Sequence, residues 1–367
     1  MDDVINFNSG DLDFTAPPPV VEAAVEAIRE GRTRYAHGGL PELRAAVARK
    51  LALDNGVTVD PDTQVIITNG AAEASTVVFQ SLLAPGDEVL TTDPYYGGHV
   101  GAILTARGVP VFVPTGKEDA WEVDPNEVER RITVRTKAFI CANPGNPTGV
   151  VLREQTLKRL LEVAHERNII LVFDELFERY VYGGLRHISA ASFEGAGNRV
   201  ITINGFSKSY CMTGWRLGWI AAPSWLAGHL AKMRYAISMV SPTASQWAAL
   251  AALSEAARSY YERIYWILDE RRIGFFGAVT RMGLPQQVPN GTYIGLLDVK
   301  PLGLSAIDVT RVFLREARVL VSPGSDFGTQ AAGTVRIGLV HPAATLQEAT
   351  RRLEPVVSRL LQAAGGA

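Results

Sequence analysis

The chain has 367 residues, of which 47% are hydrophobic and 20% are charged, and its formal net charge is −2. These proportions are typical of a soluble globular protein and argue against a disordered or fibrous chain. A nearly neutral charge provides no basic surface for nucleic acid and no polybasic segment for an anionic membrane. Cys141 and Cys211 are too few for a disulfide framework and belong to no Cys-x-x-Cys pair, so we expect no metal site.

The beginning of the chain, "MDDVINFNSG", lacks the positive and apolar regions of a secretory signal. Apolar runs such as "IILVF" end after a few residues, whereas a membrane-spanning helix needs about 20. We therefore expect a cytoplasmic protein that binds neither a membrane nor nucleic acid.

Helices and strands follow each other in a regular order along the chain. Two helices are predicted first, "PPPVVEAAVEAIREG" and "LPELRAAVARKLALDNG", each with proline near its start and glycine at its end. Between about residues 60 and 222, short β-branched runs alternate with amphipathic segments, which is typical of β-α units and a mostly parallel sheet. The predicted strands are "QVIIT", "EVLTT", "VPVFVP", "KAFICA", "IILVFDE", "RVITI" and "LGWIAA". After about residue 240, long helical segments precede the short strands "TYIGLLDV" and "TVRIGLV", which predicts a smaller α+β domain.

Two loops that follow predicted strands carry groups suited to binding a small polar molecule. In "TNGAAEAS", the free N–H groups at the start of a helix, beside the small residues Gly70, Ala71 and Ala72, could bind a phosphate. In "ANPGNPTG", prolines and glycines fix an irregular loop that leaves the amides of Asn143 and Asn146 available as donors and acceptors. The simpler interpretation of each motif is a turn without a ligand.

Two charged residues are predicted to lie in apolar strands. Asp174 in "LVFDELF" ends a strand, where a buried carboxylate needs a cationic or protonated partner. Arg336 in "TVRIGLV" has a planar fork that suits bidentate binding of a carboxylate. In both cases an internal salt bridge is the competing explanation.

The stretch "NGFSKSYCMTGWRLGW" places Lys208 and Arg216 in otherwise apolar surroundings, either as solvated surface cations or as a reactive amine and an anion-binding fork. "DPYYGGH" offers Tyr95 or Tyr96 as a flat surface for a planar ring, although aromatic residues after a strand are more often simply packed. Most of these stretches follow strands, and ligands of open α/β sheets collect at the carboxyl ends of strands. A phosphorylated aromatic aldehyde would use every one of these groups, and pyridoxal phosphate fits that description.

Taken in order, these stretches resemble the fold-type-I pyridoxal-phosphate enzymes and, within them, the class I/II aminotransferases. The resemblance covers nearly the whole chain and extends to "SGDLDFTAPP", "RYAHGGLPELRAAVA", "PNGTYIG" and "VSPGSDFG". It implies an α/β fold in which a large domain, with a mostly parallel mixed sheet flanked by helices, is joined to a smaller α+β domain. We place the large domain at residues 36–240 and the small domain at residues 1–35 and 241–367.

The resemblance also implies roles for individual residues. Lys208 would hold the cofactor as a Schiff base and act as the base, Asp174 would pair with the ring nitrogen, and Tyr96 would stack on the ring. The other cofactor contacts implied are Gly70, Ala71, Ala72, Ser207 and Arg216 at the phosphate, Asn146 at the phenolic oxygen and near the substrate, and Tyr35 at the phosphate of the neighbouring subunit. Arg336, with Gly10 nearby, would bind the substrate carboxylate. The implied function is ping-pong transfer of the amino group of an L-α-amino acid to a 2-oxo acid by a homodimer.

One position departs from the family pattern, in which a tyrosine three residues after the aspartate donates to the phenolic oxygen of the cofactor. That position is Phe177, so we predict a Schiff base that stays protonated to higher pH than in relatives with tyrosine, unless Tyr180 or Tyr182 supplies the hydroxyl. The change also gives weight to lyases acting at Cβ or Cγ and to cyclases, because these enzymes share the cofactor residues.

Two further functions are disfavoured. A regulatory protein with this fold resembles a fusion to a preceding winged-helix DNA-binding domain, and we expect no room for one before about Asn6. An inert descendant of the fold would not need the lysine, the aspartate and both arginines, which are all in place. His37 and His99 should border the site, but a lone histidine in a loop is more often a surface or packing residue, so we assign neither as catalytic.

Overall fold

The computed structural model describes residues 3–365. The strands of its large sheet and of its N-terminus are β1 (Ile5–Asn6), β2 (Val65–Thr68), β3 (Glu88–Asp93), β4 (Val109–Pro114), β5 (Thr136–Ala142), β6 (Ile170–Asp174), β7 (Val200–Gly205) and β8 (Gly218–Ala221). β2 to β8 form a seven-stranded sheet in the order β2-β8-β7-β6-β5-β3-β4. β8 is antiparallel to both of its neighbours, and the pairs from β7 to β4 are parallel. The seven predicted strands and the mostly parallel mixed sheet are confirmed.

Helices cover both faces of this sheet. Those in the first part of the chain are α1 (Pro18–Arg29), α2 (Pro41–Asn55), α3 (Ala71–Leu82), α4 (Gly97–Thr105), α5 (Pro125–Arg131), α6 (Glu154–Arg167) and α7 (Ser224–Ser238). Side chains of a strand alternate between the two faces. In β6, Ile170 and Val172 pack in the core under α3, α4 and α7, whereas Leu171 and Phe173 pack in the core under α5 and α6.

Helix α6 illustrates why the sequence could predict these elements. The apolar residues that recur three or four positions apart, Leu157, Leu160, Leu161 and Ala164, are all buried against the sheet. The helix ends where Asn168 takes a left-handed conformation (φ 55°), which is a common way to close a helix. The expected helix over one sheet face is therefore confirmed.

The C-terminal part has its own sheet and its own core. It contains α8 (Thr243–Ala252), α9 (Glu255–Arg281), β9 (Ile294–Asp298), α10 (Ala306–Val312), β10 (Val319–Leu320), β11 (Ser322–Pro323), β12 (Thr334–Gly338) and α11 (Ala343–Gly365). β11, β12 and β9 form a three-stranded antiparallel sheet. Apolar residues of α9, α10 and α11 pack against it in a continuous cluster.

The N-terminal segment joins this C-terminal part. β1 pairs in parallel with β10, Ile5 lying opposite Val319. The backbone N–H of Gly338 also donates to the carbonyl of Phe7 at 2.8 Å. An α+β unit beside the large sheet is thus present, while its predicted boundaries at residues 36 and 240 stay a prediction. Within residues 3–365, no helix is long and apolar enough to cross a membrane.

Candidate active site

Three parallel strands bring the predicted site residues to one edge of the large sheet. Asp174 is the last residue of β6, and it lies in register with Ala142 of β5 and Ile203 of β7. Asn146 follows β5 and Lys208 follows β7, so all three predicted residues lie at or beyond the carboxyl ends of adjacent strands. Ligands of open α/β sheets bind in this position.

Asp174 has the partner that its burial requires. Its side chain is buried, and Oδ2 accepts a hydrogen bond from Nε2 of His99 at 3.0 Å, while Oδ1 accepts one from the backbone N–H of Leu176 at 3.1 Å. Both oxygens of the buried carboxylate therefore accept a hydrogen bond. The expectation that His99 only packs or lies at the surface missed this contact. A signal was present, because His99 lies one helical turn after Tyr96 and the buried carboxylate needed a donor.

Lys208 reaches across to the N-terminal segment. Its Nζ donates to the carbonyl oxygen of Gly10 at 2.6 Å, and its side chain is mostly buried. Burial lowers the pKa of Lys208, Asp11 raises it, and the positive charges of Arg336 and Arg216 lower it further. The net direction is downwards, which favours a neutral amine nearer to neutral pH.

Gly70 and Arg216 lie together at the start of α3. Gly70 precedes the helix with φ 85° and ψ 170°, a conformation that residues with a Cβ rarely adopt. A Cβ at this position would lie 2.7 Å from Nη2 of Arg216, which itself bonds to the carbonyl of Asn69 at 3.3 Å. The first N–H groups of the helix, at Ala71 and Ala72, have no acceptor within the helix. Backbone donors, a helix N-terminus and a guanidinium together suit a phosphate.

Arg336 is a buried guanidinium without a carboxylate partner among residues 3–365. Its side chain is 8% exposed, and its hydrogen bond in the described structure goes to the carbonyl of Asn8 at 3.4 Å. Its Nε is buried and has no hydrogen-bond partner there. The Phe327 ring lies 5.2 Å below the guanidinium carbon. The internal salt bridge that was the competing explanation is therefore not found in the described part of the chain.

Tyr96 and Asn146 lie between these charged groups. Tyr96 is 38% exposed and its ring meets that of His99 edge-on at 5.1 Å, so part of the residue is accessible to a ligand. The side-chain oxygen of Asn146 is buried without a hydrogen-bond partner among the described residues. The side-chain oxygen of Asn143, in contrast, accepts a hydrogen bond from the backbone N–H of Leu152 at 3.0 Å. Of the two asparagines, Asn146 is the one left for a ligand.

The structure also locates the residues around Phe177. The Phe177 side chain is buried and meets the Tyr293 ring edge-on at 5.4 Å. The hydroxyl of Tyr180 donates to the backbone carbonyl of Lys208 at 3.0 Å. Tyr182 stacks on Tyr265 at 5.1 Å, and its hydroxyl has no partner among the described residues. Neither tyrosine that was considered as a substitute hydroxyl donor is in contact with the Lys208 amine.

Two predicted residues lie at the margins of the site. Ser207 is buried next to Lys208. Tyr35 is 67% exposed, and His37, 5.8 Å from it between ring centroids, links it to the exposed Tyr235 of α7. An exposed group of aromatic rings is compatible with a surface that a second subunit would cover.

These groups fit pyridoxal phosphate by their chemistry. The helix start and the guanidinium at Gly70 and Arg216 suit its phosphate, and the buried carboxylate of Asp174 suits a protonated ring nitrogen. The side-chain amide of Asn146, whose oxygen has no partner in the described residues, suits its phenolic oxygen. The lowered pKa of Lys208 suits an amine that reacts with an aldehyde. The fold and the site together define a pyridoxal-phosphate enzyme of fold type I.

Comparison with known proteins specifies the family. The family model "Aminotransferase class I and II" matches residues 2–353. The chain therefore belongs to the class I and II aminotransferases, which are pyridoxal-phosphate-dependent, and it is an aminotransferase.

Relatives support this assignment along the whole chain. An aspartate aminotransferase of Pyrococcus abyssi is 37% identical over 97% of this chain and 92% of its own length. An aromatic-amino-acid aminotransferase of Thermococcus litoralis is 36% identical over 96% of this chain and 92% of its own length. Among solved structures, an aromatic aminotransferase from Pyrococcus horikoshii superposes with a TM-score of 0.95 at 37% identity, covering 98% of this chain and 97% of its own.

Proposed function

We propose that Lys208 holds pyridoxal phosphate as a Schiff base and that the enzyme moves the amino group of an L-α-amino acid to a 2-oxo acid in two half-reactions. When bound, the cofactor supplies an electron sink for the negative charge that develops at the substrate Cα. Gly70, Ala71, Ala72, Ser207 and Arg216 would hold its phosphate, and Tyr96, Asn146 and Asp174 would hold its ring.

The observation that carries this proposal is the guanidinium of Arg336, which has no carboxylate partner among residues 3–365. A buried cation without an internal partner is costly unless a ligand provides the negative charge. A planar carboxylate matches the two-pronged geometry of arginine. Both substrates of an aminotransferase, the amino acid and the 2-oxo acid, carry such an α-carboxylate. Gly10 lies beside this position, since a Cβ on it would be 3.8 Å from Nη2 of Arg336.

Lys208 and Asp174 divide the proton chemistry between them. Lys208 Nζ, with its pKa lowered by burial, would serve as the base that removes the proton from the substrate Cα. Asp174 would pair with the protonated ring nitrogen of the cofactor, and His99 holds the carboxylate through a hydrogen bond to Oδ2. His99 thereby orients the Asp174 carboxylate without contacting the substrate.

We further propose a cytoplasmic homodimer in which Tyr35 of one subunit reaches the phosphate site of the other. The exposure of Tyr35 and of its aromatic neighbours His37 and Tyr235 supports this arrangement. For the amino donor, we propose aspartate or an aromatic amino acid, because relatives that match almost the whole chain are named for these substrates. Sedimentation at several protein concentrations measures the oligomeric state.

Borohydride reduction of the purified holoenzyme followed by peptide mass mapping tests the position of the cofactor. We expect a pyridoxyl adduct on Lys208 and its loss in the Lys208→Ala variant. The donor is then identified by adding aspartate, phenylalanine, tyrosine or tryptophan one at a time and measuring both the cofactor absorption and the released 2-oxo acid. A stoichiometric 2-oxo acid without free ammonia supports transamination, whereas release of ammonia would contradict it.

A further inference from the structure

Tyr293 shares an acceptor with the Lys208 amine. The hydroxyl of Tyr293 donates to the carbonyl oxygen of Gly10 at 2.9 Å, and Lys208 Nζ donates to the same oxygen at 2.6 Å. Tyr293 directly precedes β9 and is separated from Gly10 by 283 positions along the chain. A carbonyl oxygen has two lone pairs, so it can accept both bonds at once.

The Tyr293 hydroxyl is held in place by the packing of its ring and backbone. The rings of Phe177 and Tyr180 both meet it edge-on, each at 5.4 Å between centroids. Its backbone carbonyl accepts a hydrogen bond from the N–H of Leu339 at 2.8 Å. The residue is 1% exposed. Tyr293 is therefore a fixed donor to the Gly10 carbonyl, whereas the long side chain of Lys208 is a movable one.

We propose that Tyr293 is a positioning residue that fixes the Gly10 carbonyl as the resting place of the Lys208 amine. This inference rests on the proposed role of Lys208 in the reaction. When the Lys208 amine is not hydrogen-bonded to the Gly10 carbonyl, the Tyr293 hydroxyl still donates to that oxygen. The N-terminal segment therefore keeps its position. When the amine is released, it finds an acceptor already in position beside Arg336.

The shared oxygen also links Tyr293 to the protonation of Lys208. The charged groups that face Nζ are Asp11 from the N-terminal segment, Arg216 from the connection after β7, and Arg336 from β12. A carbonyl that accepts from the tyrosine has less electron density to offer to an ammonium. Without the phenolic hydroxyl of Tyr293, the Gly10 carbonyl oxygen forms a stronger hydrogen bond to Lys208. This favours the charged form of the amine and raises the pKa of Lys208.

The pH dependence of Lys208 acetylation in the cofactor-free full chain tests this inference. Short pulses of acetic anhydride label only the neutral amine, and peptide mass mapping gives the extent at Lys208. We expect Tyr293→Phe to raise the midpoint by roughly 0.3 to 0.7 pH unit, from a partial strengthening of one charge-assisted hydrogen bond. Replacement of Tyr293 by 3-fluorotyrosine, a stronger donor with the same packing, should lower the midpoint instead.

Tyr180→Phe is the matched control. It also removes a buried hydroxyl next to Lys208, but that hydroxyl bonds to the backbone carbonyl of the lysine and not to the acceptor of the amine. The midpoint should therefore stay at the wild-type value. An unchanged midpoint in Tyr293→Phe, an equal shift in Tyr180→Phe, or an upward shift with 3-fluorotyrosine would overturn the inference. If Tyr293→Phe does not fold, the fluorotyrosine protein decides the question.

The two proposals can fail separately. The absence of a pyridoxyl adduct on Lys208 after borohydride reduction of the wild-type holoenzyme contradicts the proposed function. The pH midpoints of Lys208 labelling in wild type, Tyr293→Phe and the 3-fluorotyrosine protein are measured without cofactor, so they report on the tyrosine alone.

Discussion

Gly70→Ala should destabilise the fold and weaken binding at the proposed phosphate site. The conformation of Gly70, with φ 85° and ψ 170°, is one that residues with a side chain rarely adopt, and forcing alanine into it costs about 1 to 3 kcal/mol. The new methyl group would also lie 2.7 Å from Nη2 of Arg216, so the guanidinium must move away from the start of α3. Loss of one charge-assisted hydrogen bond to the phosphate costs about 1.5 to 3 kcal/mol, which corresponds to roughly a 10- to 150-fold weaker affinity.

Two measurements separate these effects. Calorimetry of the cofactor-free protein reports the strain as a lower melting temperature, and titration of the same protein with pyridoxal phosphate reports the dissociation constant. Gly101→Ala is the matched control, because Gly101 lies within α4 and a Cβ on it would meet nothing within 4 Å. Alanine there should leave cofactor affinity unchanged and stabilise the helix by about 0.5 to 1 kcal/mol. If Gly70→Ala binds the cofactor with wild-type affinity, Arg216 and the helix start do not form the phosphate site.

Three further substitutions test other parts of the molecule. Phe177→Tyr restores a hydroxyl beside the ring of the cofactor and should lower the pH midpoint of the cofactor absorption band by roughly one to two units; an unchanged midpoint would refute the assignment of that position. Arg336→Lys keeps the charge but loses the planar fork, so the KM for the amino acid should rise about 10- to 100-fold while cofactor affinity stays constant; a parallel loss of cofactor would place Arg336 elsewhere. Lys50→Met removes the partner of the buried Glu178, whose Oε1 lies 2.5 Å from Nζ, and should destabilise the protein by about 3 to 5 kcal/mol at neutral pH in calorimetry. Burial raises the pKa of Glu178, but the charges of Lys50 and His187 and the hydrogen bonds from Lys50 and Asn55 together lower the pKa from 4.5 to about 2. The stabilisation is therefore complete above pH 4.5 and is lost as the pH falls towards 2, so the difference in stability between variant and wild type should narrow over that range.

The sequence was most informative where a local pattern carries the structure. Strands such as β6 are buried on both faces and therefore appear as uninterrupted apolar runs. Because Asp174 ends such a run, the sequence predicted that its carboxylate would have a hydrogen-bond partner. The loop glycines and the cations at Lys208 and Arg216 could be assigned because each lies next to a recognisable strand or helix start.

The contacts that the sequence did not reveal join remote positions. His99 and Asp174 are 75 residues apart, and the bond between Tyr293 and Gly10 joins segments near opposite ends of the chain. No periodicity connects such positions, because their proximity follows from the order of strands and from the docking of one sheet beside another. Strands β1 and β10 have two residues each, too few to show an alternating pattern.

The connection between β7 and β8 has a mechanical consequence for retention of the cofactor. These two strands are antiparallel neighbours, and the connection between them, residues 206–217, carries both Lys208 and Arg216. The proposed covalent attachment at Lys208 and the proposed phosphate contact at Arg216 therefore belong to one segment, and local opening of that segment would weaken both together. A cofactor held in this way would join the two ends of the segment and stabilise it against opening.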